Sequence, residues 1–301
     1  MSCRALLLVN RHARQGQKGL SEAIDYLKTL GFILIEESTE HPKQLSEVIL
    51  RYQNQVDLVI VGGGDGTLNA AVDALVETQL PLGILPLGTA NDLARTLKIP
   101  NSLKEACNII AQGNLHRIDL GWVNGKHFFN VASLGLSVKI TERLTKEVKR
   151  RWGIFAYAAT ALQVIWSARP FSAEIAINGD SVRVKTVQIA VGNGRYYGGG
   201  MAVADDAAID DQRLDLYSLE IQHWWQIILL LPAMRQGRHI HWQSVRSLQG
   251  QEIRLHTRKP RPINTDGEIT TYTPAHFRVI SKAIAVLVPA EVKIGELGVR
   301  S

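Results

Sequence analysis

Val59-Ile60-Val61-Gly62-Gly63-Gly64-Asp65-Gly66-Thr67, followed by the helical Leu68-Asn69-Ala70-Ala71, is the stretch on which the fold turns. A β-branched run ends in consecutive glycines, and a helix opens behind them. Glycine at such a junction predicts left-handed backbone in the loop and amide N–H groups brought close to a ligand, while the helix N-terminus adds its dipole. That combination cradles phosphate. Asp65 repels a bare anion, so a divalent cation carried with a nucleotide is the chemistry that reconciles the two. The loop is not a P-loop, because GxxxxGK followed by Ser or Thr occurs nowhere. It also lacks the dinucleotide spacing, because Asn69 stands at the place of the third glycine. A turn that merely joins strand to helix is the bland alternative.

Outward from this loop, residues up to about His116 alternate short apolar runs with helical stretches. Strands are expected at Arg4 to Val9, Phe32 to Glu36, Asp57 to Val61 and Leu82 to Leu85, with helices at Leu20 to Leu30, Pro42 to Tyr52, Leu68 to Val76 and Ala90 to Leu97. The alternation predicts an α/β N-terminal domain with a parallel sheet and a ligand crevice beyond the carboxyl ends of its strands. After His116 the pattern becomes one of paired strands: Ile118, Leu120 and Trp122 alternate, Asn124-Gly125 is a hairpin signal, and Phe128 to Ala132 returns. Similar cues recur at Glu174 to Ile177 with Asn178-Gly179, at Val182 to Val191, Leu214 to Leu219, Ile253 to Leu255 and Phe277 to Val288, interrupted by helical segments at Leu136 to Arg151 and Ile154 to Trp166. An antiparallel β-rich sandwich forms the expected C-terminal domain, with a hinge near residues 115 to 130.

At 301 residues the chain has the length of about two domains, and 46% hydrophobic with 21% charged residues excludes disorder, collagen and fibres. Cys3 and Cys107, the two cysteines, make neither a disulfide framework nor a four-cysteine zinc site, so a reducing cytoplasm is the expected location. No signal peptide is read at the N-terminus, where Ala5 to Val9 is only of strand length. The apolar stretches Gly153 to Trp166 and Trp224 to Pro232 fall short of the roughly 20 residues that cross a bilayer. Thirty-four basic against 28 acidic residues give a net charge of +6 and favour anionic partners. No aromatic-basic or helix-turn-helix pattern accompanies that charge, so nucleic acid is not expected among them.

Gly62 to Thr67, together with Pro86-Leu87-Gly88-Thr89-Ala90-Asn91-Asp92-Leu93-Ala94-Arg95, resembles the diacylglycerol kinase catalytic-domain family, which includes bacterial YegS-like lipid kinases and sphingosine kinases. The resemblance runs over nearly the whole chain, through Val191-Gly192-Asn193-Gly194-Arg195-Tyr196, Gly198-Gly199-Gly200-Met201, Asp210-Asp211 with Leu214-Asp215-Leu216, and Asp266-Gly267-Glu268. It implies an ATP- and Mg2+-dependent lipid kinase of phospholipid metabolism, with residues 1–120 as nucleotide-binding domain, which the C-terminal tail is free to rejoin, and 121–301 as lipid-acceptor domain. The acceptor would be a hydroxyl on an apolar tail: diacylglycerol, phosphatidylglycerol or a sphingoid-like base. The resemblance also allows a homodimer.

Residue by residue, it implies that ATP contacts Asn10, Arg11, His12, Ala13 and Arg14 after the first strand, then Thr39, Gly63, Gly64, Asp65, Gly66, Thr67, Leu68 and Asn69, and Thr89 with Asn91 and Asp92. Thr39 also reads as a helix cap before His41-Pro42, and Asn91-Asp92 as an ordinary cap; Arg95 reads either as an anion ligand or as a solvated helix face. Phosphoryl transfer needs a base for the acceptor hydroxyl, and a carboxylate within hydrogen-bond reach is the simplest. The resemblance places it at Glu268 with Asp266 second, or at Asp65 on the sphingosine kinase pattern; Asp-Gly is otherwise a plain hairpin turn. A structural Mg2+ is implied at Asp211 with the carbonyls of Ala208 and Arg213. There the pattern breaks, with Asp205 for Pro and Gln212 for a Gly whose backbone geometry glutamine is expected to resist. Further departures are Arg11 for Pro and Ala70 for Glu.

NAD kinase shares a GGDGT loop, but Gly88-Thr89-Ala90-Asn91-Asp92 stands here for its Asn-Glu motif; a non-catalytic lipid or nucleotide sensor is the rival from another class. The basic, amphipathic Lys139 to Arg151 and the Trp-bounded Trp152 to Trp166 read either as a peripheral contact with anionic membrane at the inner surface or as a core helix with a solvated face. The Trp-led helix at Trp224-Trp225 carries the same two readings, membrane-bound or buried, and burial is the commoner fate of such a helix. His239-Ile240-His241 is the only close histidine pair among nine, so zinc chemistry is not expected.

Overall fold

A computed structural model describes residues 3–10, 17–39, 41, 44–143 and 163–290. Strands β1 (Arg4–Asn10), β2 (Ile33–Thr39), β3 (Leu58–Gly63) and β4 (Leu82–Pro86) alternate with helices α1 (Gln17–Thr29), α2 (Gln44–Tyr52) and α3 (Asp65–Thr78). They pair in parallel in the order β2-β1-β3-β4. Ala5 to Leu8 and Leu58 to Val61 are buried along their whole length, as expected of parallel strands covered by helices on both faces. Since β1 is followed on one side by β2 and on the other by β3, the strand order reverses there, and the crevice opens at their carboxyl ends. β3 ends at Gly63, so the glycine junction lies at that opening.

Two further helices, α4 (Asp92–Thr96) and α5 (Leu103–Gln112), complete the first half. No element is expected from the sequence at α5, although the signal is there: Ser102 caps it by accepting the Glu105 N–H at 3.4 Å, and Ala106, Cys107, Ile109 and Ile110 bury one face.

The second half is antiparallel, with β5 (Leu115–Val123), β6 (Lys126–Phe128), β7 (Val131–Gly135), α6 (Leu136–Arg143), β8 (Phe171–Ile177), β9 (Asp180–Thr186), β10 (Gln188–Gly192), β11 (Tyr196–Tyr197), β12 (Met201–Ala202) and β13 (Leu214–Leu219). The helix α7 (Trp225–Gln236) follows, and then β14 (Val245–Gly250), β15 (Glu252–Thr257), β16 (Pro262–Thr265), β17 (Glu268–Tyr272) and β18 (Ala275–Leu287). A six-stranded sheet, β14-β13-β10-β7-β16-β17, faces the antiparallel end of the large sheet. Phe128, Phe277, Ile189, Leu216 and Leu255 are buried between them, each worth roughly 1.5–3 kcal/mol of transfer free energy.

Three expectations change. Val182 to Val191 is two strands, because Thr186 turns the corner between sheets: its Oγ1 donates to Gln188 O at 2.8 Å and Leu219 O at 2.9 Å. Residues 115 to 130 form no open hinge; β5 pairs with β18 from Leu115 to Val123, across a register shift between Ile280 and Ile284. β18 also pairs in parallel with β4 at Val286 and Leu82, so one sheet runs through both halves. Trp224 and Trp225 are exposed, while Ile227, Leu230 and Met234 bury the inner face of α7. Of the two helical segments read between 136 and 166, residues 144–162 lie outside the described part. Among the described residues no helix is long and apolar enough to cross a membrane.

Candidate functional site

The helix behind the glycines begins earlier than its hydrophobic pattern suggests: α3 starts at Asp65, with Gly64 as its N-cap at φ −98° and ψ −175°. The loop glycines therefore do not take the left-handed backbone expected of them. Their requirement is space: a Cβ on Gly63 would lie 2.5 Å from Thr67 Cβ. Thr67 and Leu68 are buried beneath the junction, which leaves the N–H groups opening α3 as its contact surface, while Asn69 keeps a buried Oδ1 without a hydrogen-bond partner. The helix end is a ready anion site.

Asp65, in the first turn of α3, reaches the next helix. Its Oδ2 accepts the N–H of Asp92 at 3.1 Å and its Oδ1 that of Leu93 at 3.0 Å, so it caps α4 from outside. Asn91 sits at φ +50° and closes the preceding turn: Oδ1 accepts the Gly88 N–H at 2.9 Å, and Nδ2 donates to Gly88 O at 3.0 Å and Asn101 Oδ1 at 3.1 Å. Its amide shapes the turn, and Thr89 at the tip is exposed. Asp92 is buried; its Oδ2 accepts the Gly199 N–H at 2.9 Å, and its Oδ1 has no hydrogen-bond partner. Burial raises its pKa to about 6, a shift that the Gly199 N–H opposes and the neighbouring Asp65 charge adds to. Arg95 sets its guanidinium 5.8 Å from the centre of the Tyr196 ring and against Gly200, and its charge partly offsets the upward shift of Asp92.

The second half contributes Asp266-Gly267, the left-handed pair (φ +47° and +101°) joining β16 to β17. Asp266 is fully engaged: Oδ2 accepts the Phe129 N–H at 2.7 Å, and Oδ1 the N–H groups of Asn130 and Val131 at 3.0 Å each. Burial lifts its pKa to about 7 against those donors. Glu268, by contrast, is exposed, and its Oε1 lies 4.0 Å from where a Cβ on Gly66 would stand. Glu268 thus faces the first turn of α3.

Thr39 is buried at the end of β2, paired with Asn10 at the end of β1, so both backbones border the crevice. The remaining residues expected around it, Arg11, His12, Ala13 and Arg14, lie outside the described part.

Asp211 lies in the 208–213 loop, where Gln212 adopts φ +61°. Glutamine does take the geometry it was expected to resist, and the reason is a buried clamp that the sequence reading does not include. Asp119 accepts the Gln212 N–H on Oδ2 and the Lys282 N–H on Oδ1, both at 2.7 Å. An Asp between the apolar Ile118 and Leu120 of one strand is the signal that could have revealed it. Arg213 Nε stands 3.0 Å from Asp211 Oδ2 and 3.6 Å from Asp215 Oδ1. Burial raises Asp211 to about 7 and Asp215 to about 6. Arg213 also pairs with Asp206 at 2.8 Å, so three carboxylates share one guanidinium, an excess of negative charge on hard oxygen donors of the type a divalent cation takes. Among the described residues no group of three or more His, Cys, Asp or Glu side chains could hold a metal alone.

Asn193 joins the two regions: Nδ2 donates to Asp119 O at 3.0 Å and Phe129 O at 2.8 Å, so the clamp at Asp119 leads to the segment that holds Asp266.

The described fold agrees with comparisons to known proteins. The diacylglycerol kinase catalytic domain matches residues 4–123, and the YegS C-terminal NAD kinase beta sandwich-like domain matches residues 130–288. The chain is 29% identical over 240 residues to the diacylglycerol kinase of Bacillus subtilis, covering 79% of each chain, and 26% identical over 247 residues to that of Staphylococcus carnosus, covering 81% of each. A crystal structure of a diacylglycerol kinase from Bacillus anthracis superposes with a TM-score of 0.75 at 23% identity, over 96% of this chain and 98% of that one, which bears on the fold alone.

Proposed function

This chain belongs to the diacylglycerol kinase catalytic-domain family, and we propose that it transfers the γ-phosphoryl group of Mg·ATP to a hydroxyl of a membrane lipid such as diacylglycerol, phosphatidylglycerol or a sphingoid-like base. The observation that carries this reading is the difference between two neighbouring carboxylates. Asp266 receives three backbone N–H groups, whereas Glu268 is exposed and aimed at the first turn of α3.

In this reading Gly63, Gly64 and the N–H groups opening α3 receive the triphosphate, with Thr39, Thr89 and Asn10 along the same crevice. Asp65 caps α4 and so sets the Gly88 to Asp92 turn against the nucleotide. The acceptor hydroxyl gives its proton to the Glu268 carboxylate as its oxygen attacks the γ-phosphorus, and ADP leaves. Asp266 acts as a positioning residue that fixes the turn carrying Glu268. Magnesium supplies charge neutralisation when bound; Asp65 and Asp92 are the carboxylates beside the triphosphate, and Asp211 with the carbonyls of Ala208 and Arg213 would hold a second, structural ion. Gln212 at φ +61° supports that second assignment, since the departure from glycine leaves the loop geometry in place.

Incubation with radiolabelled ATP, Mg2+ and a panel of lipids, with NAD in parallel, tests the reading. Label in an organic-extractable product is expected. Label in NAD would establish the NAD kinase alternative, and nucleotide binding without turnover the sensor alternative.

A further inference from the structure

We propose that the outer face of α7, with Trp166 stacked beside it, is the surface by which this protein rests on an anionic phospholipid bilayer. Trp225, Ile228, Leu229 and Pro232 recur at i, i+3, i+4 and i+7, so they share one face of α7, and all are exposed. Leu229 is 56% exposed and Trp225 47%. Trp224, preceding the helix, stacks on Trp166 with ring centres 5.9 Å apart, and Trp166 is itself 71% exposed. Soluble surfaces carry single apolar residues; a contiguous group containing three tryptophans marks a contact site.

The inner face explains why these side chains cannot turn inward. Ile227, Leu230 and Met234 fill the core cluster that also holds Val164, Ile165, Tyr217 and Leu219, which fixes the rotation of α7. From Ile227 to Met234 the helix is apolar all round, and one side of that stretch has no protein to cover it among the described residues.

Charge selects the partner. Arg235 lies in the last turn of α7, Arg238 follows just beyond its Gly237 cap, and Arg169 borders Trp166 in a groove with Ser167; among the described residues none of these arginines forms an ion pair. The nearby acids are already engaged: Glu220 by Arg246 at 2.6 Å, and Asp205 by His241 at 3.1 Å. An apolar, tryptophan-bearing face with an arginine rim fits the interface of an anionic bilayer, where indoles lie at headgroup depth and arginines meet phosphate. A protein partner or a second copy of this chain would need acidic groups to complement the rim. The proposal deepens the lipid kinase reading, because it supplies the route by which a water-exposed catalytic crevice meets a membrane-resident hydroxyl.

Flotation of the full chain with phosphatidylcholine vesicles, with and without phosphatidylglycerol, tests it without any turnover. Binding to the phosphatidylglycerol vesicles is expected. Trp225→Glu combined with Leu229→Glu, both on exposed positions, should weaken it by about tenfold or more, and Arg235→Glu with Arg238→Glu should weaken it on the anionic vesicles only. Unchanged binding in the apolar pair, or no binding by the wild-type chain, overturns the proposal. So does a wild-type dimer, seen by sedimentation, that the apolar pair converts to monomer while vesicles bind neither. Because flotation reads no phosphoryl transfer, a chain that binds vesicles yet phosphorylates no lipid would sink the kinase reading and leave the docking surface standing. Conversely, turnover of a short-chain lipid by a chain that floats with neither kind of vesicle would sustain the kinase reading and overturn the docking surface.

Discussion

Gly64 and Gly88 meet backbone to backbone: a Cβ built on Gly88 would lie 2.5 Å from Gly64 Cα, and one built on Gly64 would lie 3.0 Å from Gly88 Cα. This contact brings the two loops of the crevice together, and neither residue has positive φ. Gly88→Ala should therefore force the loops apart, costing about 1–3 kcal/mol of stability and weakening ATP binding. Gly19→Ala is the control, since its new methyl would find only ordinary contact at 3.6 Å from Leu103 Cδ1. Isothermal titration and thermal melts of both variants measure the difference; an unaltered nucleotide affinity in Gly88→Ala would remove the contact from the site.

Glu268→Gln and Asp266→Asn should fail in different ways. Loss of an exposed base should lower kcat by roughly a hundred- to ten-thousand-fold with the melting temperature unchanged. Asp266→Asn turns an amide NH2 toward backbone donors and should cost about 1–3 kcal/mol of stability, whatever it does to turnover. Full activity in both variants would end the assignment of the turn.

For Asp65→Asn, loss of phosphoryl transfer is expected with far-ultraviolet circular dichroism retained, because one oxygen remains to accept an N–H of α4. A destabilisation of about 0.5–2 kcal/mol should accompany the weakened cap. Wild-type rates in this variant would take Asp65 out of the reaction.

Protonation should stabilise the metal-free chain. Asp211 and Asp266 are raised to about 7, so the folded state holds protons that the unfolded state releases, and the corresponding stability is lost as pH rises through about 7. Between about pH 8 and pH 6.5 in chelator, the melting temperature should rise as pH falls. Further down, His239 opposes the trend: burial depresses it to about 4, so the unfolded chain takes up its proton first, below the ordinary histidine range. Asp266→Asn should flatten the upper part of the profile, and a wild-type melting temperature that falls from about pH 8 to 6.5 would contradict the assignment of the raised carboxyls.

Much of this was legible in one dimension. The apolar runs at Leu58 to Val61 and Leu82 to Leu85 and the order of the motifs determined the parallel half, because period and composition are local properties of the chain. The Asp266-Gly267 pair likewise specified its own hairpin turn by backbone preference. Burial partners were beyond that reach. Which of Asp266 and Glu268 is free depends on the N–H groups of Phe129 to Val131, more than a hundred residues away in the chain. The same holds for Gln212, whose left-handed backbone is held by Asp119, and for the loop glycines, whose constraint is the neighbouring loop rather than their own φ. The outward turn of Trp224 and Trp225 was decided by the core that claims the other side of α7, since an all-apolar helix carries no periodicity to say which face stays wet. Sequence by itself determined most of the elements, though neither α5 nor the break at Thr186, together with the family and the chemical groups at hand; only tertiary structure decided which of those groups were consumed by the backbone and which were left for a ligand.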